Sequence, residues 1–398
     1  MRVLLSEASS LTAREHLSVL GPAGASADVA ACSRLAIARF SRWCGRAVRV
    51  PRSADDPKGY LAAVAAALRE VRYDALLPTH EQAWLFAADR HLLPADAPLA
   101  VSDIEAFDQI QGKVACCRLL DVVGMPQPAW SVVATAADAR RVELPCWLKA
   151  SFSTAGRGVR YVSSPGRAAR AYDELAAAGP VLAQQPATGT YAQVAGLFSH
   201  GRLVAVHTSE LAGTGAGGSA AARVSVDHPQ PRAHIEQLGR HLGWHGGLTL
   251  DYLHWNGTPQ YIEANARTVE PGNAAASGVN LPALTIAISR GDSLPGTPVI
   301  GRPGVRTHSS LALMLGAAER SGSRAAALRA LVTGLGRLGG LRDSREVLTP
   351  LPADPPSLIP VAVVASQLLL RPGRAQALAT GAVRDYAVPP AAVGLVRA

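Results

Sequence analysis

Residues 246–273, GGLTLDYLHWNGTPQYIEANARTVEPGN, carry the strongest structural signal in the chain. Apolar side chains alternate with polar ones from Leu248 to Tyr252, which is typical of a strand with one buried face. The pair Asn256-Gly257 follows, and this dipeptide is a strong signal for a two-residue turn between antiparallel strands. The stretch therefore predicts a β-hairpin.

Oxygen-donating side chains lie on both strands of this hairpin. Asp251 can lie across from Glu263, and the two-residue period of a strand puts Asn265 on the same face as Glu263. Arg267 follows at the same spacing. Three oxygen donors around one point suit Mg²⁺, whose remaining positions nucleotide phosphates and water would fill. Taken alone, the pattern is equally compatible with a polar hairpin that has a solvated acidic face.

The pattern D-x(11)-E-x-N-x-R, followed by a helix start at residues 278–282, resembles the metal-binding core of ATP-grasp ligases. It is most similar to the branch of biotin carboxylase and carbamoyl-phosphate synthetase, and to predicted ATP-dependent carboxylate–amine ligases of the same plan. The resemblance covers roughly residues 1–304. It implies an α/β (α+β) fold: an ATP-grasp fold with an N-terminal Rossmann-like pre-ATP-grasp domain and a small lid subdomain.

The chain of 398 residues is long enough for two to three domains. Strands and helices alternate early in the chain, with one helix predicted through Leu35–Trp43, and this alternation indicates a parallel α/β layer. The predicted units are a pre-ATP-grasp domain at 1–105, an ATP-grasp domain at 106–304 and a mostly helical C-terminal region at 305–398. Within the ATP-grasp domain we expect a lid at about 143–205 and a metal-binding core at about 206–304. The apolar run Leu358–Leu370 is predicted to be a buried helix.

Lysine is rare in this chain, which has three lysines against thirty-six arginines. Positions that keep lysine are therefore informative. The resemblance implies that Lys113 and Lys149 neutralise nucleotide phosphates, whereas a solvated surface lysine is the alternative for Lys113.

A loop of small residues follows Lys149 and resembles the phosphate-covering lid of the family. Small side chains let backbone N–H groups approach oxyanions closely. Phe152 and Ala155 distinguish the loop from the nearly all-glycine loop of biotin carboxylases, and a plain hairpin loop would look similar. The residues that the resemblance assigns to nucleotide binding are Ser151, Ser153, Thr154, Gly156 and Gly158.

The strand that breaks at Pro186 resembles the adenine-binding hinge of the family. The resemblance places Gln184, Gln185 and Ala187 at the hinge positions. An acidic residue is usual where Gln185 stands, so this chain departs from the family in its side-chain contacts to the ribose and adenine.

Three arginines are candidates for the catalytic centre. The resemblance implies that Arg267, with Arg223 or Arg306, stabilises the transferred phosphoryl group. Arg223 ends a stretch of small residues for which a simple linker is the alternative. Glu81 follows a strand end, where ligands bind in open α/β sheets, and an exposed acid that complements a helix dipole is the alternative for this residue.

Charge and cysteine content limit the kinds of ligand and metal that the chain is expected to bind. The net charge is +9 and the pI is about 9.7, but the arginines are scattered, which favours an anionic ligand such as ATP over nucleic acid. Five cysteines without a C-x-x-C spacing indicate neither a disulfide framework nor a zinc site. We expect a cytoplasmic protein without a signal peptide or membrane span.

The sequence therefore predicts an ATP- and Mg²⁺-dependent carboxylate–amine ligase that forms an amide or peptide bond through an acyl phosphate and releases ADP and phosphate. Its substrates would be a small carboxylic acid and an amino acid-like amine, and a homodimer is expected. One alternative is a biotin- and bicarbonate-dependent carboxylase that acts through carboxyphosphate, although the spacing from Arg267 to Glu270 is one residue shorter than in biotin carboxylases. A non-catalytic ATP-binding module is the second alternative.

Overall fold

The computed structural model describes residues 1–154 and 156–397, which form three β-sheets flanked by helices. Ala155, assigned above to the small-residue loop, and Ala398 lie outside the described residues. Among the described residues, no helix combines the length and the apolar character that crossing a bilayer requires.

The N-terminal unit is a parallel sheet with strand order β3-β2-β1-β4. Val3, Leu4 and Leu5 are all fully buried, as expected of a parallel strand covered on both faces. The predicted helix through Leu35–Trp43 is wrong, since only the turn Ile37–Arg39 is helical there. The elements are β1 (Arg2–Leu5), α1 (Leu11–Leu20), β2 (Ser26–Ala31), β3 (Cys44–Arg49), α2 (Pro57–Glu70), β4 (Ala75–Leu77) and α3 (Gln82–Ala88).

The lid is an antiparallel sheet with strand order β5-β8-β6-β7. Its strands begin at Trp130 and end at Gln184, whereas the predicted lid extends over about 143–205. The strand after Gln184 pairs with the central sheet instead. The elements of this part are α4 (Ile104–Ile110), α5 (Lys113–Val122), β5 (Trp130–Val133), α6 (Ala136–Ala139), β6 (Cys146–Ala150), β7 (Val159–Val162), α7 (Pro165–Ala176) and β8 (Val181–Gln184).

The central sheet has the order β13-β12-β9-β10-β11-β15-β16, with β14 also paired to β10. The predicted hairpin is confirmed as β12 and β13, and Asn256 and Gly257 have φ angles of 48° and 81° in its turn. The elements are β9 (Thr190–Ser199), β10 (Arg202–Thr214), β11 (Ala220–Ser225), α8 (Pro229–His241), β12 (Gly246–Trp255), β13 (Thr258–Asn265), α9 (Gly272–Ala276), α10 (Leu281–Arg290), β14 (Val299–Ile300) and β15 (Arg306–His308).

The C-terminal region is mostly helical, but β15 and β16 extend the central sheet from it. Its helix at Leu358–Leu370 forms as predicted, whereas its predicted burial is wrong: Val361 and Leu368 are buried, and most other side chains are not. A helix that is apolar all round does not encode which stripe packs. The elements are α11 (Ser310–Ser321), α12 (Arg324–Leu335), β16 (Ser344–Glu346), α13 (Leu358–Leu370), α14 (Ala375–Thr380), α15 (Val383–Tyr386) and α16 (Pro390–Arg397).

A buried ion pair joins the N-terminal sheet unit to the C-terminal region. Arg14 on α1 pairs with Asp354, which precedes α13, and both side chains are fully buried. Asp354 also accepts hydrogen bonds from the Ser41 hydroxyl at 2.8 Å and the Arg42 N–H at 2.7 Å. A single carboxylate from the C-terminal region therefore satisfies donors from α1 and from the segment before β3.

Removing this carboxylate should destabilise the whole fold. Asp354→Ala leaves the Arg14 guanidinium buried without its counter-ion, so we expect the free energy of unfolding to fall by about 3–5 kcal/mol. Urea denaturation followed by circular dichroism measures the change. Asp343→Ala, at an exposed position, is the matched control and should change the free energy by about 0.5 kcal/mol or less. Equal stability of the two variants would contradict the role of Asp354.

Candidate active site

The hairpin brings its oxygen donors together. Asp251 lies directly opposite Glu263 in the β12–β13 pairing, and a bulge follows between Asp251 and Tyr252. The side-chain amide of Asn265 donates to Asp251 Oδ2 at 3.3 Å. The three predicted metal ligands therefore lie on one face of the hairpin, where hard oxygen atoms could hold a divalent cation.

The pKa values of the two carboxylates are shifted in opposite directions. Burial, and then repulsion by Glu263, raises the pKa of Asp251 to about 6. Burial would also raise the pKa of Glu263, but the charges of Lys113 and Lys149 outweigh it and lower that pKa overall. Lys113 Nζ lies 3.0 Å from Glu263 Oε1. Lysine charge thus keeps one carboxylate of the pair ionised.

Lys149 links the lid to the hairpin. It lies on β6, is 8% exposed, and donates to Gln184 Oε1 at 2.6 Å and to the Ile262 carbonyl at 3.1 Å. Burial lowers its pKa, while the charge of Glu263 opposes this effect. The cleft around Lys149 has apolar walls and a cationic end, and its lining includes Cys117, Leu120, Leu182, Gln184, Lys113 and Glu263.

The small-residue loop (151–158) lies against both the cleft and the N-terminal unit. Lys113 Nζ donates to the Ser153 carbonyl at 3.1 Å, and the Ser151 hydroxyl accepts from the Val114 N–H at 3.3 Å. Phe152 stacks on Trp84 with 5.6 Å between ring centroids.

Two features of this loop depend on particular residues. Gly158 packs so closely that a Cβ there would lie 2.4 Å from Ser153 Cβ, and Gly156 has a φ of +69°. Thr154 donates to Glu81 Oε1 at 2.6 Å, and Glu81 Oε2 accepts from the Val388 N–H at 2.8 Å. Glu81 is therefore buried and binds the loop, so its interpretation as an exposed first-turn acid is wrong.

The hinge residues follow β8. Gln184 is buried and bonded to Lys149 as described. The Gln185 N–H donates to the Ala129 carbonyl at 2.8 Å, and its side chain donates to the Glu143 carbonyl at 3.0 Å. Ala187 is half-buried just beyond Pro186. The Gln185 side chain is thus engaged with the lid.

Arg223 lies on the same face of the central sheet as the hairpin acids. It pairs with Leu211, and Ser209, two residues earlier on the same strand, faces the same way. Ser209 pairs with Gln193, which pairs with Asp251. It is 7% exposed. Its Nε and Nη2 donate to Glu270 Oε2 at 3.2 and 3.1 Å, and its buried Nη1 has no hydrogen-bond partner among the described residues.

Electrostatics keep Arg223 charged. Burial, the largest single effect, would lower its pKa, but Glu270, Tyr191 and Asp251 together raise it above its ordinary value. Glu270 adopts a φ of 44°, an unusual conformation for a residue other than glycine. The backbone after β13 is therefore held in a strained conformation that positions this carboxylate against Arg223.

A cavity adjoins Arg223, and sequence reasoning did not find two of its residues. Glu15 on α1 accepts from the Gly272 N–H at 2.9 Å, and burial, then repulsion by Glu270, raises its pKa to about 8. Asn273 donates to Thr307 Oγ1 at 2.8 Å. The lining of this cavity, called the Arg223 cavity below, includes Glu15, Arg223, Glu270, Asn273, Thr307 and Val347.

The other two candidate arginines have different surroundings. Arg267 Nη2 lies 3.3 Å from His80 Nε2 in the loop after β4, and its buried Nε lacks a partner among the described residues. Arg306 is exposed on β15. Because its neighbour Thr307 is the residue paired with Arg223, Arg306 projects to the opposite face of the sheet. The structure does not bring Arg306 to the cluster.

Gln193 is another site residue that the sequence analysis did not assign. It lies on β9 beside β12, and its amide donates to Asp251 Oδ1 at 2.9 Å. Its spacing of two from Tyr191, on a strand that pairs with the hairpin, is the signal that could have identified it.

No protein-family model matches the chain. The large chain of carbamoyl phosphate synthase from Deinococcus radiodurans is 25% identical over 245 residues, an alignment that covers 55% of this chain. This chain spans only 23% of the length of that curated relative.

Solved structures are similar across most of the chain. The biotin carboxylase domain of Hydrogenobacter thermophilus 2-oxoglutarate carboxylase has a TM-score of 0.60 at 16% identity, covering 77% of this chain and 73% of that one. N5-carboxyaminoimidazole ribonucleotide synthetase from Thermus thermophilus has a TM-score of 0.57 at 17% identity, covering 77% and 81%. The L-amino acid ligase of Bacillus licheniformis has a TM-score of 0.53 at 15% identity, covering 73% and 74%.

The mixed α/β architecture and these structural neighbours define the class: the chain has the ATP-grasp fold. The predicted fold class is confirmed, as is the resemblance to the biotin carboxylase and carbamoyl-phosphate synthetase branch, at the level of the fold.

The raised pKa of Asp251 predicts a pH-dependent stability. The folded value of about 6 exceeds the ordinary 3.8, so ionisation of Asp251 costs stability. This cost is absent below about pH 4 and complete above about pH 7. Asp251→Asn should therefore raise the free energy of unfolding of the ligand-free chain at pH 8, on the order of 2–3 kcal/mol, and change it little at pH 4.

Thermal and urea unfolding at the two pH values measure this difference. Asp108→Asn, an exposed carboxylate paired with Arg397, is the control and should change stability little at either pH. A gain in the Asp251 variant that is equal at both pH values would show that charge is not the cause.

Proposed function

We propose that this chain is an ATP-dependent carboxylate–amine ligase that makes an amide bond through an acyl phosphate. The observation that carries the proposal is the Arg223 cavity. Its buried, charged guanidinium, one nitrogen of which has no partner in the described part of the chain, lies on the same sheet face as the hairpin carboxylates. A substrate carboxylate bound there would lie beside the groups suited to holding a nucleotide and its metal ion.

The side chains on the hairpin fit Mg²⁺. Asp251, Glu263 and Asn265 offer carboxylate and amide oxygens, the donors that Mg²⁺ prefers, and offer no sulfur or imidazole. When bound, the ion would neutralise charge on the phosphates during transfer. Lys113, which pairs with Glu263 in the absence of the ion, would supply positive charge for phosphate oxygens beside it.

Nucleotide binding is supported by the Lys149 cleft. Its apolar walls suit the base of ATP, and Lys113 and Lys149 supply charge for the phosphates. The backbone N–H groups of the small-residue loop, which packs over Lys113, can donate to the same oxyanions. The proposed nucleotide contacts in the loop and the hinge are Ser151, Ser153, Thr154, Gly156, Gly158, Gln184, Gln185 and Ala187.

The chain's own residues then have defined tasks. Arg223 binds and orients the substrate carboxylate, one oxygen of which attacks the γ-phosphorus while the bond to ADP breaks. Arg267 adds positive charge at the transferring phosphoryl group. The amine nitrogen next attacks the acyl carbon, phosphate leaves, and the nitrogen loses a proton, for which the carboxylate of Glu270 lies nearby. This carboxylate also suits a substrate that carries an ammonium group.

The role of Lys149 is tested by removing its charge. Lys149→Met should weaken ATP binding by about 2 kcal/mol, roughly thirtyfold in Kd, because a charge-assisted contact to phosphate is lost. Calorimetric titration of ATP measures the change. Lys58→Met is the matched control, because Lys58 is the remaining lysine and is exposed. If the two variants bind ATP equally, Lys149 is not part of the nucleotide site.

The reaction itself is tested by trapping the activated acid. With ATP, Mg²⁺ and hydroxylamine, a panel of amino acids and other small carboxylic acids should yield a hydroxamate from at least one acid, with ADP and phosphate formed only when that acid is present. Arg223→Met should raise the KM for the acid at least about tenfold, since it removes a charged hydrogen-bond donor.

Arg306→Met separates the two assignments for the substrate arginine. A KM for the acid equal to that of the parent protein would exclude Arg306, whereas an increase in this variant alone would restore the sequence-based role and contradict ours. ADP formation that responds to bicarbonate and biotin, with no hydroxamate from any acid, would favour the carboxylase. ATP binding without any turnover would favour a non-catalytic module.

A further inference from the structure

Two imidazoles and a carboxylate converge on the central sheet, away from the hairpin acids. Glu210 lies on β10, His228 precedes α8 and His254 lies on β12, and their ligand atoms are all within 4.8 Å of one another. Glu210 and Tyr252 pair with the same residue of β9, so their side chains lie on one face of the sheet. Asp251 is the residue that precedes Tyr252 on β12. Because side chains alternate across a strand, this cluster faces the opposite side of the sheet from Asp251.

The spacing of these atoms suits a shared ion better than direct bonding. His228 Nε2 lies 3.5 Å and His254 Nδ1 4.0 Å from Glu210 Oε1. Both separations are longer than a good hydrogen bond. With Zn–N and Zn–O bonds of about 2.0–2.2 Å, tetrahedral geometry puts ligand atoms about 3.3–3.6 Å apart. Small side-chain adjustments would therefore place all three atoms on one ion.

A buried hydroxyl orients one of the imidazoles. His228 Nδ1 lies 2.9 Å from the hydroxyl of Tyr252, a fully buried residue. When Nδ1 donates to this oxygen, the lone pair of Nε2 faces Glu210. Histidines that bind metals are commonly held in this way by a partner on the other ring nitrogen.

The second imidazole packs against the first. The rings of His228 and His254 lie 3.7 Å apart between centroids. The rings of His200 and His245, which are stacked, have a similar separation of 4.0 Å. The pair of His200 and His245 has no third ligand nearby in the described part of the chain, whereas His228 and His254 have Glu210.

We propose that Glu210, His228 and His254 bind a divalent transition-metal ion of the Zn²⁺ class. Imidazole nitrogens favour such ions over Mg²⁺. The side chains of Glu210 and His254 are 26% and 17% exposed, which leaves the site accessible and a fourth position open to water. The ion joins the start of α8 to β10 and β12. This site is independent of the proposed ligase activity.

The test is metal binding by the full chain. After removal of metals with a chelator, calorimetric titration with ZnCl₂ should show one saturable site, and CoCl₂ should give the intense visible absorption of tetrahedral Co²⁺. Glu210→Gln and His254→Gln should each abolish both signals. His234→Gln is the matched control, because His234 contacts the Tyr261 hydroxyl at 3.0 Å as His228 contacts Tyr252, and it should bind Zn²⁺ as the parent protein does.

Tyr252→Phe gives a second test that keeps every ligand. We expect about 10- to 100-fold weaker Zn²⁺ binding, since the partner that orients His228 is lost. Unchanged circular dichroism in each variant would separate loss of the site from misfolding. Absence of saturable Zn²⁺ binding by the parent protein would overturn the proposal. So would binding that survives both ligand substitutions, or binding that is instead lost in His245→Gln.

Discussion

The contact between Lys113 and Glu263, with Lys149 close by, is the interaction on which the site depends. Asp251 is buried and lies directly opposite the partly exposed Glu263, so the two carboxylates repel each other. Burying charge without a counter-charge is costly. Lys113 comes from α5 and Lys149 from the lid strand β6, so compensating this charge requires the lid to close on the central sheet. The charges of the hairpin carboxylates and of the two lysines thereby favour contact between the lid sheet and the central sheet. A bound cation could neutralise the same carboxylates.

The strand pairings of β12 determine what each side of the central sheet can do. Pairing with β9 and β13 places Gln193, Asp251 and Glu263 on one face. The bulge after Asp251 then keeps Tyr252 and Tyr261 together on the other face, beneath α8. Hard oxygen donors are therefore separated from imidazole donors by the thickness of one sheet, and the two faces suit different classes of metal ion.

Local signals in the sequence were sufficient to predict the hairpin and its turn, because the Asn256-Gly257 pair and the alternating pattern act within one short segment. The bulge after Asp251, which brings Asp251 opposite Glu263, has no such local signal. The lid boundary and the orientation of Arg306 could not be predicted, since both depend on which strand pairs with which. Glu15 shows the limit most clearly: it lies 255 residues from Glu270 in sequence, and packing of α1 alone brings them together. The histidine cluster has no recognisable spacing for the same reason.

Glu81 divides its two oxygens between partners of different kinds. Oε2 is occupied by the Val388 N–H in the packed C-terminal region, and Oε1 receives the hydroxyl of Thr154 from the small-residue loop. Breaking the bond to Thr154 would exchange that hydroxyl for water at one oxygen, at a net cost of about 1.5–3 kcal/mol for a hydrogen bond to a charged group, while the Val388 N–H still holds the other oxygen. Glu81 therefore ties Thr154 to a fixed point of the C-terminal region, so the loop takes the same position whenever this hydrogen bond is made.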